Sequence, residues 1–188
     1  MLVTLANSHH PLSDTATQRA TLAEVHTPRT FEDAVAGCGH DPLRAAAIST
    51  LQINLGRRCN QACRHCHVDA GPDRREVMPP HVVDACLSFL DASDIPTVDI
   101  TGGAPEMHPS FRDIVLRARS AGRHVMDRCN LTITQLPNYS DLPDFLAAYR
   151  VEVMASLPSF AARLTDTQRG SGDFEASIAP LLRFNELG

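Results

Sequence analysis

Lysine is absent: all 17 basic residues of the 188-residue chain are arginine. A Walker-type phosphate loop needs a lysine at the phosphates, so that class is excluded. Lysine Schiff-base chemistry, including pyridoxal phosphate anchoring, is excluded with it. A basic excess is missing too. The net charge is -5, whereas general nucleic-acid binding needs a basic surface. No apolar run approaches the length of a membrane span. The stretch Met1 to His10 lacks the charged start and apolar core of a secretory signal. The expected setting is therefore the cytoplasm, with neither nucleic acid nor membrane as partner. Six cysteines in a reducing compartment read as metal ligands or core residues, not as disulfides.

What is present is a globular composition, 43% hydrophobic and 21% charged, with enough length for one domain and a core. Residues 1–45 are polar, His-rich and weakly periodic, and only Thr30 to Val35 suggests a short helix. They read as a weakly ordered N-terminal extension, with the core domain at 46–188. From Thr50 a regular alternation sets in. Leu51, Ile53 and Leu55 alternate with polar residues as in a strand, and Val82, Val83, Cys86, Leu87 and Leu90 fall on one helix face. Thr97–Thr101, His124–Asp127 and Val151–Ala155 read as strands two, three and four. Between them lie a helix carrying Phe111, Ile114, Val115 and Ala118, stopped at Gly122, and a short helix over Asp141–Tyr149 capped by Asp141. Asp173 is expected to cap a last helix, which Pro180 should kink or split. Four β/α units in succession predict an α/β fold with a parallel sheet. A closed eight-unit barrel takes roughly 250 residues, so the chain is at most part of one.

The sharpest motif is Cys59-Asn60-Gln61-Ala62-Cys63-Arg64-His65-Cys66, directly after strand one. Three uses of these thiolates compete. A 4Fe–4S cluster held by three cysteines would leave one iron without a protein ligand. A zinc site of three Cys and one His would take His65 or His67 as its fourth ligand. The run Cys63-Arg64-His65-Cys66-His67 also matches a c-type haem attachment site. Haem attachment occurs outside the cytoplasm, however, and it leaves Cys59 unexplained.

CxxxCxxC after the first strand of a partial barrel resembles the radical S-adenosylmethionine (SAM) superfamily. The resemblance runs from about Thr50 to Gly188. It extends to Thr101-Gly102-Gly103-Ala104-Pro105-Glu106, similar to the family's glycine-rich motif that contacts the methionine amino group. Here Ala104 replaces the commoner Glu, which comes two residues later as Glu106. Asn130 after strand three and Ser156 after strand four resemble positions that touch ribose or carboxylate. Within the superfamily, Cys66–Pro72, Thr101–Glu106, Asp127–Thr132 and Ala155–Pro158 resemble the arsenosugar-biosynthesis proteins. Those proteins carry a further cysteine-rich region, and Ser159-Phe160 stands where they have Cys-Tyr.

The resemblance implies a partial (β/α) barrel, about four β/α units of an expected six. It implies a 4Fe–4S cluster on Cys59, Cys63 and Cys66, with SAM held by Gly102, Gly103, Ala104, Pro105, Glu106, Asn130 and Ser156. SAM would chelate the open iron, and one-electron reduction by a donor such as flavodoxin or ferredoxin would release a 5′-deoxyadenosyl radical. The radical would attack a small-molecule substrate, implied to be a trivalent methylated arsenical. Cys129, in a loop on the same face, is a tentative substrate thiol for arsenic. Cys86 reads as a core residue, and Arg128 as the partner of a carboxylate or of Asp127. Two other readings stand beside this one: a small zinc-binding interaction module, and an inactive piece of a radical enzyme with strand four exposed as an edge.

Overall fold

A computed structural model describes residues 2–40 and 42–188. Met1 and Asp41, both inside the expected N-terminal extension, lie outside the described residues. The extension carries two helices, α1 (Thr15–Ala23) and α2 (Phe31–Gly37), neither of which buries a residue. α1 follows Asp14, whose carboxylate accepts from the Thr17 amide at 2.7 Å. α2 starts at Thr30 in a capping box with Asp33.

The core alternates strand and helix as the periodicity predicts: β1 (Thr50–Asn54), α3 (Pro80–Asp91), β2 (Thr97–Thr101), α4 (Phe111–Ser120), β3 (His124–Asp127), α5 (Leu142–Ala148) and β4 (Glu152–Val153). The four strands form one parallel sheet in the order β1-β2-β3-β4. Register is fixed by apolar residues on one face. Ile53 pairs with Ile100 and Val98 with Val125, and all four are buried. Helices α3 and α4 cover that face with Val83, Leu87 and Leu90, and with Phe111, Ile114, Val115 and Ala118. Burying each large side chain contributes about 1.5–3 kcal/mol. Cys86 packs against this core, half-buried. α4 ends through Gly122, whose φ of +73° suits a residue without a Cβ.

Four local expectations are corrected. β4 has two residues rather than five, and the chain enters it from Arg150 at φ +51°. Beyond it the chain still bonds to its neighbour, Ser156 N–H donating to the Cys129 carbonyl at 2.9 Å. Asp141 makes no cap bond and pairs with Arg112 at 2.8 Å. A further helix, α6 (Ala162–Arg169), precedes α7 (Asp173–Leu187). Asp173 lies inside α7, and Asp166 of α6 accepts from the Gly172 and Phe174 amides instead, both at 2.9 Å. Pro180 does not split α7. Proline leaves the carbonyl four residues back without its donor, and that carbonyl, of Ala176, accepts from Gln135 Nε2 at 2.7 Å.

Candidate active site

After β1 the chain loops out and returns, tied to itself by backbone bonds. Arg57 N–H donates to Glu76 O at 2.8 Å, Gly71 N–H to Arg57 O at 3.1 Å, and Met78 N–H to Leu55 O at 3.0 Å. The N-terminal segment fastens this loop from outside. Thr4, itself buried, donates to Asp73 at 2.7 Å, and the Leu5 and Ala6 amides donate to Asp69. Asp69 also pairs with Arg74 at 2.9 Å. The loop presents Cys59, Cys63 and Cys66 to a cavity of about 420 Å³ at the C-terminal end of the sheet.

Each thiol has a defined surrounding. Cys59 Sγ is buried and accepts from the Gln61 amide at 3.4 Å and from Asn130 Nδ2 at 3.5 Å. Cys66 Sγ accepts from the Ala70 amide at 3.2 Å. Burial pushes the Cys59 thiol up and the Cys63 thiol to about 11, with Arg169 pulling Cys63 the other way. A buried thiolate of this kind is stabilised by a metal cation. Among the described residues the three sulfurs do not all fall within 4.8 Å of one another. One zinc ion with Zn–S bonds near 2.3 Å would draw them to about 3.8 Å. A four-iron cluster held by three cysteines takes one iron per thiol and does not require such an approach.

The same cavity is lined by Gly102, Gly103, Asn130 and Ser156. Gly103 N–H is spent on Gly56 O at 2.8 Å. The Gly102 and Gly103 carbonyls accept no hydrogen bond among the described residues, and so can accept from an ammonium group. The glycines are also demanded by the protein itself. A Cβ on Gly103 would stand 2.5 Å from the Arg58 carbonyl oxygen and 2.9 Å from Ala70 Cβ. Asn130 is largely committed: its Nδ2 donates to Asn60 at 2.6 Å and its Oδ1 accepts the Ile133 amide at 3.0 Å.

The structure does not bring Ala104, Pro105, Glu106 or Cys129 to the cavity. All four are buried. The reason for Cys129 is strand parity. Val125, Asp127 and Cys129 are fully buried on the core side, while Arg128 between them lines the cavity. Cys129 is therefore placed behind the wall, where a substrate arsenic could not meet it. Its sulfur accepts the Leu131 amide at 3.3 Å. One ligand atom each from Glu106, Asp127 and Cys129 lies within 4.8 Å of the others, and the oxygens of both carboxyls lack hydrogen-bond partners. Burial pushes Glu106 up to about 7, and burial with the Glu106 charge pushes Asp127 well up. Two adjoining buried carboxyls cannot both ionise cheaply, so this pair holds a proton.

Arg128 pairs with Asp99, not with Asp127. Its Nε lies 2.9 Å from Oδ1 and its Nη2 2.8 Å from Oδ2. Arg128 holds the Asp99 carboxyl below the ordinary carboxylate range.

Sequence reading missed Arg169. It ends α6 with its side chain 3% exposed, yet lines the cavity. Its Nη2 donates to Ser156 Oγ at 2.5 Å and its Nη1 to the Asn130 carbonyl at 3.1 Å. Asp173 lies 3.6 Å away and also takes a bond from Gln61 of the cysteine loop. The only trace in the sequence is the four-residue spacing of Arg169 and Asp173.

Residues 53–188 match the Radical SAM superfamily. The chain belongs to that superfamily. Over 72 residues it is 28% identical to a probable GTP 3',8-cyclase of Pyrococcus abyssi, a stretch covering 38% of this chain and 24% of that relative. The similarly named protein of Pyrococcus horikoshii is 26% identical over 72 residues, 23% of its length. The chain thus matches about a quarter of the length of these relatives. Among solved structures it resembles Streptococcus suis SuiB bound to S-adenosylmethionine, with a TM-score of 0.61 and 19% identity over 92% of this chain and 41% of that one. It also resembles SuiB bound to precursor peptide SuiA, with a TM-score of 0.61 and 17% identity over 98% of this chain and 44% of that one. These solved folds bear out the α/β architecture and its parallel sheet. The superfamily implies a 4Fe–4S cluster and SAM. No helix among the described residues is long and apolar enough to cross a membrane.

Proposed function

We propose that Cys59, Cys63 and Cys66 hold a 4Fe–4S cluster in this cavity, and that the chain cleaves SAM reductively there. The observation that carries this reading is the convergence of three thiols, two free glycine carbonyls and a buried arginine on one cavity. When bound, the cluster supplies the electron that breaks the S–C5′ bond. The chain's own residues do the rest. The Gly102 and Gly103 carbonyls accept from the amino group of the methionine moiety. Arg169, locked by Ser156 and the Asn130 carbonyl, places a positive charge beside the carboxylate. The Gln61 and Ala70 amides and Asn130 donate to thiolate sulfurs and so steady the cluster. Glu106, Asp127 and Cys129 support the wall and do not touch the ligand. Residues 46–188 form the core domain in this reading and residues 1–45 an extension. A flavodoxin- or ferredoxin-type donor supplies the electron, in the cytoplasm.

For the acceptor of the radical, the motifs Cys66–Pro72, Thr101–Glu106, Asp127–Thr132 and Ala155–Pro158 favour deoxyadenosyl transfer to a trivalent methylated arsenical. A second reading, cyclisation of GTP, rests on the 72-residue match to the probable GTP 3',8-cyclases. Anaerobic reconstitution with reductant and SAM, with product analysis by mass spectrometry, tests all of this. 5′-Deoxyadenosine alone supports the cleavage reading. A deoxyadenosyl arsenical appearing only with the arsenical supports the first acceptor, and a cyclised nucleotide the second. No 5′-deoxyadenosine from iron-loaded protein contradicts the proposal.

A further inference from the structure

Two arginines line the cavity, and they differ in setting. Arg169 is buried, with its Nη groups engaged by Ser156 and the Asn130 carbonyl, and its charge bears on Cys63. Arg128 is the more open of the two, with 46% of its side chain exposed. It is drawn back toward mid-sheet by Asp99, which lies two residues before Thr101 on β2, about 7 Å further from the strand's end. Asp99 is itself buried and fixed by Gln52 Nε2 of β1 at 2.7 Å. Gln52, Asp99 and Arg128 thus form a polar row across three strands, on the face opposite the apolar core.

Parity dictates this row. Gln52 and Asp99 are register partners, and Arg128 lies one residue past β3 on the same side. Burying an aspartate amid a sheet costs free energy that a half-exposed ion pair returns poorly. What the row does achieve is orientation. A guanidinium has five N–H donors. Asp99 takes the edge formed by Nε and one Nη2 hydrogen. Both hydrogens of Nη1 and the second of Nη2 remain, and no protein group among the described residues accepts from them. That leftover edge is a two-pronged donor whose geometry matches a carboxylate or a phosphate.

The geometry points to Arg128, pinned by Asp99 and Gln52, as the anchor for a carboxylate or phosphate group on the second substrate. This deepens the proposal that the cavity binds SAM, and it rests on that reading. The methionine carboxylate is served by Arg169 near the thiols, so the Arg128 fork faces what lies beyond SAM. It selects an acceptor with an anionic oxygen group, such as the phosphates of GTP in the second reading, whereas a trivalent methylated arsenical, the first, has neither carboxylate nor phosphate and would leave the fork unpaired.

The test is isothermal titration of the reconstituted, SAM-saturated full chain with pyrophosphate and, separately, with succinate. The arm that binds tells phosphate from carboxylate. Arg128→Gln should weaken that probe by roughly tenfold or more while leaving SAM affinity as in the wild type. Asp99→Asn should weaken the probe less, since the guanidinium stays but is no longer aimed. The inference is overturned if neither probe binds the wild type, or if Arg128→Gln binds the probe equally well. It is also overturned if Arg128→Gln loses SAM affinity by the same factor, which would assign Arg128 to the SAM site. Failure of the wild type to bind SAM would instead overturn the underlying reading, and this inference with it.

Discussion

Gly103 and Arg58 meet backbone to backbone: a Cβ on Gly103 would stand 2.5 Å from the Arg58 carbonyl oxygen. The next amide, of Ala104, donates to that same oxygen at 2.9 Å. The glycine motif after β2 and the cysteine loop after β1 are therefore one unit. From sequence, Gly103 is glycine so that a ligand can approach. The structure adds a more immediate cause, the approach of the cysteine loop.

Gly103→Ala should consequently damage the loop as well as the ligand site. The expected cost is about 1–3 kcal/mol from overpacking, with iron retained per chain reduced. Gly122→Ala, with open space around it but φ +73°, should cost about 1–2 kcal/mol and leave iron unchanged. Denaturant melts and iron analysis of both variants check this. Full iron retention in Gly103→Ala would show that the two loops are not coupled.

The cysteines should divide cleanly. Ala in place of Cys59, Cys63 or Cys66 should remove the iron, since two thiolates do not hold a four-iron cluster. Cys86→Ala and Cys129→Ser should keep it, because Cys86 packs in the core and Cys129 lies behind the cavity wall. Iron and sulfide analysis after anaerobic reconstitution decides. Loss of iron in Cys129→Ser with retention in Cys63→Ala would contradict the ligand assignment.

Arg169→Ala should separate SAM binding from cluster assembly. It removes the ties to Ser156 and the Asn130 carbonyl but no thiol. SAM affinity should fall by roughly tenfold or more, with iron retained. Arg169→Lys should restore little, since an ammonium cannot reproduce the two-armed contact. Unchanged SAM affinity in Arg169→Ala would confine this arginine to packing.

A pH dependence follows from Glu106. Burial raises its folded-state pKa from 4.5 to about 7, so between these values the folded chain binds more protons than the unfolded one. Stability from this group is complete below about 4.5 and is lost as pH rises toward and through about 7. Glu106→Gln, which stays neutral, should flatten that fall. Urea melts of both proteins across this window provide the check, and parallel slopes would refute it.

Much of the fold was legible because it depends on periodicity. Phe111, Ile114, Val115 and Ala118 were readable as one helix face, and all four are buried in α4. The thiols were readable because their spacing is itself the signal. Helix α6 was not, because it is polar and buries only Thr165 and Arg169, so no apolar stripe marks it. Arg169 was hidden for the same reason. Cys129 was misplaced although the means were present: carrying the β3 alternation two residues past Asp127 puts Cys129 inward and Arg128 outward. Pro180 misled because its compensation, the Gln135 amide on the Ala176 carbonyl, comes from a residue 45 positions away in sequence.

The most direct measurement is electron paramagnetic resonance of the reduced, reconstituted chain, recorded with and without SAM. A three-thiolate cluster with an open iron predicts a four-iron signal whose shape changes when SAM binds that iron, and whose change in Arg169→Ala needs roughly tenfold or more SAM than in the wild type. A colourless protein carrying zinc, or a four-iron signal indifferent to SAM in the wild type, would contradict the assignment of this cavity.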